Sequence, residues 1–395
     1  SGAARPRDKW LVGMEHELIA VDADGRAPGY VGGIAALLDG FAARGWTPIR
    51  EGDHVIALSS GAAQITIEPG GQFELAARPV ASEQMFADDL RSYLRDLFAI
   101  AGERGLTFLS SGLRPFGTRA DIPWMPKARY DVMRAYMPRV GTRGLDMMLR
   151  TATVQSNVDF ADELDAAHKM RAMMGVTSIL TALWANSPIV DGQATDFQSA
   201  RAWVWQDVDN ARCGQLQFVF ERDDLFTAYA EWALDIPMYF VYRGGYRPVE
   251  GLTFRQFMAH GWQGERATMN DWALHLSTLF PDVRLKKLLE VRGCDCGSPA
   301  MITALGAVTR GLLYSPDALA ATIALTASWS WSDRQRIAAT VPQTGLRTEV
   351  AGTTLQTYAT ELIEIAARGL AQVDPSAVPM LEPVRAIAIS GRTQA

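Results

Sequence analysis

The chain has 395 residues, 48% hydrophobic and 21% charged, with a formal net charge of -6. This composition describes a globular protein long enough to bury a large core, and it excludes a nucleic-acid or anionic-membrane surface as the main partner. No apolar run reaches the roughly 18 residues of a membrane span and no signal-peptide pattern opens the chain, so a cytoplasmic protein is expected.

No linker, low-complexity run or charge block divides the sequence, and we expect one catalytic domain over residues 1–395 whose last third, from about 300 to 395, is helical. In chain order, Trp10 to Val21 reads as a strand closed by the turn Asp22-Ala23-Asp24-Gly25. Ile34, Leu37, Leu38 and Phe41 recur at helical spacing. Ile65 to Leu75 alternates on both sides of Pro69-Gly70-Gly71 and predicts a hairpin. Ser82 opens a long helix with an apolar stripe through Phe86, Leu90, Leu94, Leu97 and Phe98. Thr107 to Ser110 follows as a short strand. Pro115 to Tyr136 breaks the pattern, as does Arg201 to Gly214, and both are expected to be covering loops. Arg150 to Phe160 predicts a strand with one wholly polar side: Thr151, Thr153, Gln155, Asn157 and Asp159. A helix spans Ala161 to Ala185, buried strands run from Leu234 to Tyr242 and from Leu285 to Arg292, and helical text fills Ala300 to Leu370. Strands and helices do not alternate strictly, so the expected class is α+β on a largely antiparallel sheet.

The acids carry the chemistry. In a strand, residues i and i+2 share a face, so Glu15 and Glu17 point one way while His16 points into the apolar side. Glu68 and Glu74 flank the hairpin turn on the same polar face as Gln72, and Glu290 shares a face with Arg292. A merely solvated sheet face interleaves lysines and arginines with its acids; these segments carry almost none before Arg292. Clustered carboxylates need a cation, and an all-oxygen set suits Mg²⁺ or Mn²⁺, in two or more ions. Arg129, Arg150, Arg201, Arg212 and Arg292 lie in or beside the polar segments and could clamp phosphate or carboxylate. Neither a P-loop nor a protein-kinase signature is present. Cys213, Cys294 and Cys296 are too few and wrongly spaced for a disulfide framework or a zinc knuckle.

The same residues resemble the plant and proteobacterial type of glutamate-cysteine ligase. The resemblance runs over Lys9-Trp10, Glu15-His16-Glu17, the block Ile67 to Leu75, Asp121-Ile122-Pro123 with Met125-Pro126-Lys127, Tyr136-Met137-Pro138 and Gly144 to Thr151. It continues through Ala185-Asn186-Ser187-Pro188, Pro237-Met238-Tyr239-Phe240, Leu252 to Phe257, and Arg284-Leu285-Lys286 leading into Glu290-Val291-Arg292-Gly293.

It implies a glutamine-synthetase-like fold, with helices around a curved sheet that forms the active-site face. The implied reaction is ATP- and Mg²⁺-dependent ligation of L-cysteine to the γ-carboxylate of L-glutamate through a γ-glutamyl phosphate, the first step of glutathione biosynthesis. By the same resemblance, Glu15, Glu17, Glu68, Glu74 and Glu290 would bind two or three Mg²⁺ (or Mn²⁺). Arg292, Gln72 and Lys127 would contact ATP. Arg129, Arg150, Arg201, Gln155 and Tyr239 would contact the amino-acid substrates, with Arg129, Arg201 and Arg292 catalytic. A monomer or weak homodimer is expected, without nucleic-acid or membrane partners. Plant-type thiol-disulfide control is not expected, since no cysteine precedes Cys213. The alternatives are a γ-glutamyl ligase with another amine acceptor, or a non-catalytic binding protein of the same fold.

Overall fold

The computed structural model describes residues 3–249 and 251–395. Its centre is a nine-stranded sheet. We label the strands β1 (Val12–Val21), β2 (Thr47–Glu51), β3 (His54–Ser60), β4 (Ala63–Ile67), β5 (Gln72–Ala76), β6 (Thr107–Leu109), β7 (Thr153–Val158), β8 (Val283–Leu285) and β9 (Leu289–Asp295). They run in the order β8-β9-β7-β1-β5-β4-β3-β2, with β6 pairing β1, and every pairing is antiparallel.

Alternation assigns the two faces. Met14, His16 and Leu18 of β1 and Val154, Ser156 and Val158 of β7 are buried on one side, where the Glu163–Leu183 and Pro299–Tyr314 helices pack. That side is almost entirely apolar; Ser156 is accommodated because its hydroxyl meets Thr309 Oγ1 at 2.6 Å. Glu15, Glu17, Glu74, Gln155 and Glu290 take the opposite face. His16, fully buried and edge-on to Tyr93 at 5.6 Å, is a packing residue as the alternation requires.

Phe98 leaves the expected apolar stripe, since it turns away from Leu94 and Leu97 and is 47% exposed, and several expected elements shift. The β2–β3 hairpin has no signal in the alternation, because Thr47 to Arg50 is exposed and so carries no two-sided pattern. The 115–136 segment is only partly a loop, since Ala128–Tyr136 is a helix. The strand expected from Arg150 starts three residues later, because Gly144–Arg150 is helical. Leu234 ends a helix, and only Phe240–Tyr242 is strand, in a small two-stranded sheet away from the main one. Within the expected 201–214 loop, Ala200–Trp205 is a helix capped by Ser199. The final strand extends to Asp295, beyond a bulge at which Arg292 and Gly293 together oppose Gln155. This bulge reverses the alternation, so Arg292 and Asp295 both reach the polar face although their spacing is odd.

The β4–β5 turn depends on close approach. A Cβ on Gly70 would lie 2.0 Å from the Leu149 carbonyl oxygen, and Gly71 has φ +79°. Gly70→Ala is expected to destabilise the protein by about 1–3 kcal/mol through backbone displacement. Denaturant titration checks this, and an unchanged midpoint would contradict it.

Candidate active site

A cavity of about 490 Å³ lies over the polar face of β9, β7, β1, β5 and β4, and Glu15, Glu17, Glu68, Glu74, Lys127, Arg129, Gln155, Arg201 and Arg292 line it. Strand register brings the acids together: Glu17 is directly opposite Glu74, and Glu15 is directly opposite Gln155. The hydrogen-bond donors to Glu15, Glu17 and Glu74 are neutral. Asn157 Nδ2 donates to Glu15 at 2.7 Å, the Thr153 amide donates to Glu17 at 3.1 Å, and Thr66 Oγ1 donates to Glu74 at 2.6 Å.

Burial, reinforced by Glu290 and Glu74, pushes the Glu15 carboxyl up to about 7. Burial and then the charges of Glu74 and Glu68 hold Glu17 well above the ordinary carboxylate range, and burial with Glu68 raises Glu74. Burial is the leading cause in each case and the neighbouring carboxylates add to it, so three acids that are costly to ionise alone are packed against one another. Hard oxygen donors in that condition fit Mg²⁺ or a similar dication. Among the described residues, no three acidic, histidine or cysteine side chains converge into a ready-made shell.

Glu290 behaves differently from the acid set in which the sequence placed it. It is fully buried, and Arg284 Nε and Nη2 donate to it at 2.6 and 3.0 Å, while Arg292 Nη1 donates at 2.7 Å and Lys286 adds a further charge. Burial opposes its charge, but Arg284, Arg292 and Lys286 outweigh burial and hold the carboxyl well below the ordinary range. In this structure Glu290 is an anchor for cations rather than an open metal ligand. Arg284 and Lys286 belong to the resembling block, but their role as partners of Glu290 follows only from the β8–β9 pairing, in which Arg284 is the cross-strand partner of Glu290.

Three other expectations also change. Gln72 is 1% exposed and uses its amide internally, donating to the Met148 and Thr151 carbonyls at 3.3 and 2.9 Å and accepting from Gly70 N at 2.9 Å. It clamps the hairpin turn instead of reaching toward a nucleotide. Arg150 lies outside the cavity, paired with Asp191 at 2.7 Å and Asp146 at 3.5 Å. Tyr239 lines a separate groove of about 280 Å³, with the Arg212 guanidinium 3.7 Å from its ring centre.

Of the remaining arginines, Arg129 faces the cavity and sits 5.8 Å from the Phe240 ring. Arg201 is 4% exposed and donates through Nη2 to the Arg292 carbonyl at 2.9 Å. Arg292 in turn donates to Gln155 Oε1 at 2.9 Å. Asp295, also overlooked, fixes the Arg201 helix: its Oδ1 accepts from Ser199, the helix cap, at 2.8 Å, and its Oδ2 accepts from Ser187 at 2.6 Å. Cys213, Cys294 and Cys296 are buried free thiols, and no described helix is long and apolar enough to cross a membrane.

Comparison with known proteins identifies the fold and the family. A crystal structure titled as the glutamate-cysteine ligase of Francisella tularensis in complex with AMP superposes with a TM-score of 0.57 at 14% identity, covering 98% of this chain and 83% of that one, which establishes the shared fold. The chloroplastic glutamate-cysteine ligase of Brassica juncea is 42% identical over 400 residues, spanning 100% of this chain and 78% of the relative. That of Arabidopsis thaliana is 42% identical over the same length, spanning 77% of the relative. The family model for Glutamate-cysteine ligase family 2 (GCS2) matches residues 11–395, and this chain belongs to that family.

Proposed function

We propose that residues 1–395 form one catalytic domain that joins L-cysteine to the γ-carboxylate of L-glutamate at the expense of ATP. The observation carrying this is that four carboxylates with no salt bridge among the described residues, Glu15, Glu17, Glu68 and Glu74, share one cavity with Lys127, Arg129, Arg201 and Arg292.

A carboxylate is a poor electrophile, so a γ-carboxylate oxygen of glutamate attacks the γ-phosphorus of ATP, the bond to the β-phosphate oxygen breaks, and ADP leaves. The deprotonated amine of cysteine then attacks the acyl carbon, and phosphate departs with the C–O electron pair. Glu15, Glu17, Glu68 and Glu74 would hold Mg²⁺, which when bound neutralises the phosphate oxygens and favours their transfer.

Arg292 and Arg201, fixed through Glu290, Gln155 and the Arg292 carbonyl, are preorganised for the charge that develops on the transferring phosphoryl group. Arg129 is free to orient a substrate carboxylate, and Lys127 adds positive charge beside Glu68 and Glu74. Met133, Met147 and Met148 line the same cavity and limit water near an acyl phosphate that water would hydrolyse. A cytoplasmic location and a monomer or weak homodimer belong to this proposal; the plant relatives carry chloroplastic names.

The test is Mg²⁺-dependent ADP release with L-glutamate and a panel of amines. Cysteine is expected to give the highest kcat/KM. Equal turnover with 2-aminobutyrate, alanine or methylamine would remove thiol specificity, and release unaffected by Glu15→Gln with Glu68→Gln would remove the metal assignment.

A further inference from the structure

Arg201 reaches the carboxylate cavity from a helix of only six residues, Ala200–Trp205, too short to hold its own direction. The Asp295 carboxylate supplies that direction through two relays. Its Oδ2 accepts from Ser187 Oγ at 2.6 Å, and Ser187 Oγ itself accepts from Arg201 N at 3.1 Å. Its Oδ1 accepts from Ser199 Oγ at 2.8 Å, and Ser199 Oγ accepts from Ala202 N at 3.0 Å. Asn186 N adds a third donor, to Oδ2 at 2.9 Å. Each oxygen thus grips a backbone N–H at the start of the short helix through one hydroxyl.

The carboxylate also faces the side chain it holds. Asp295 is 1% exposed, and Oδ1 stands 4.0 Å from Arg201 Nη1. Burial pulls the Arg201 guanidinium below its ordinary value, and Asp295 is the largest opposing charge, ahead of Glu17. Neutral groups would suffice for a brace, whereas a buried charge is costly unless it is matched. The neighbouring chain leaves room for it, since a Cβ on Gly112 would lie 2.2 Å from Asp295 Cγ. Arg201 Nε is buried without a partner, so the guanidinium is held but keeps a donor.

We propose that Asp295 is a positioning residue for the reaction in the carboxylate cavity and acts through Arg201, whose backbone it fixes by way of Ser187 and Ser199. Its effect on turnover rests on the ligase reading; its effect on geometry does not. In Asp295→Asn one acceptor oxygen is lost, and the amide NH₂ must face either Ser199 and Arg201 or the Asn186 N–H.

Crystals of wild type and Asp295→Asn test the geometry. The Arg201 guanidinium is expected to leave the Arg292 carbonyl, which it meets at 2.9 Å in the native chain; a guanidinium unmoved in the variant would overturn the proposal. In glutamate-dependent ADP release, Asp295→Asn is expected to lower kcat about a hundredfold with KM little changed. In an Arg201→Ala background the same substitution should lower kcat no further. Losses that multiply would show Asp295 acting elsewhere and overturn the proposal. If Asp295→Asn fails to fold, Ser199→Ala decides by the same two measurements, with a loss of about tenfold that vanishes beside Arg201→Ala. Wild-type ADP release that ignores L-glutamate would defeat the ligase reading, and the crystal comparison would still decide the geometry.

Discussion

Arg292→Ala is expected to lower kcat for ADP formation by about a thousandfold while the fold persists. Arg292 lines the carboxylate cavity, with Nη1 held by Glu290 Oε2 at 2.7 Å and Gln155 Oε1 at 2.9 Å. These contacts fix the guanidinium before substrate arrives, so it does not have to reorganise as phosphoryl charge spreads. Glu290 keeps Arg284 and Lys286 when Arg292 is removed, which is why thermal stability should change little. Arg292→Lys should not restore activity, because an ammonium cannot bridge Glu290 and Gln155 while presenting donors to phosphate. Steady-state kinetics beside a melting curve separate the two effects. A folded alanine variant retaining more than about a tenth of wild-type kcat would place Arg292 outside the reacting centre.

Arg310→Ala is expected to cost about 3–5 kcal/mol of stability, the largest effect we anticipate for a single substitution away from the cavity. Arg310 Nε donates to Glu83 Oε1 at 2.8 Å, and Nη2 donates to the Val80 carbonyl at 3.0 Å. Glu83 is fully buried, and Arg310 is 4% exposed. The pair joins the start of the Glu83–Gly102 helix to the Pro299–Tyr314 helix, and through Val80, which bridges to Val12, it braces the entry to β1. Truncating Arg310 leaves Glu83 buried and unpaired, whereas Glu83→Gln with Arg310→Met removes both charges and should be milder. Denaturant midpoints check the order. A double variant no more stable than Arg310→Ala would contradict the attribution to an uncompensated charge.

Much of the site was legible because strand alternation is a strong local signal. Glu15, Glu17 and Glu74 reach the polar face as their spacing requires, and His16 is buried opposite them. What escaped was set by partners distant in sequence. Gln72 alternates correctly, but carbonyls some 76 and 79 residues away take up its amide. Tyr239 sits in a strand-like apolar run, yet it precedes the short strand Phe240–Tyr242 of a separate small sheet and packs beside Arg212. The bulge at Arg292 and Gly293 inverts the period and brings Asp295 under Arg201, which no spacing rule anticipates. Glu290 looked like another open acid because the cross-strand Arg284 becomes visible only once the β8–β9 register is known.

The central claim is that the carboxylate-lined cavity activates glutamate by phosphorylating its γ-carboxylate. Heavy-oxygen label in that carboxylate tests this most directly, with the released phosphate analysed by mass spectrometry after turnover with ATP, Mg²⁺ and L-cysteine. One labelled oxygen in each phosphate is expected. Phosphate that carries no label while γ-glutamylcysteine still forms would contradict it.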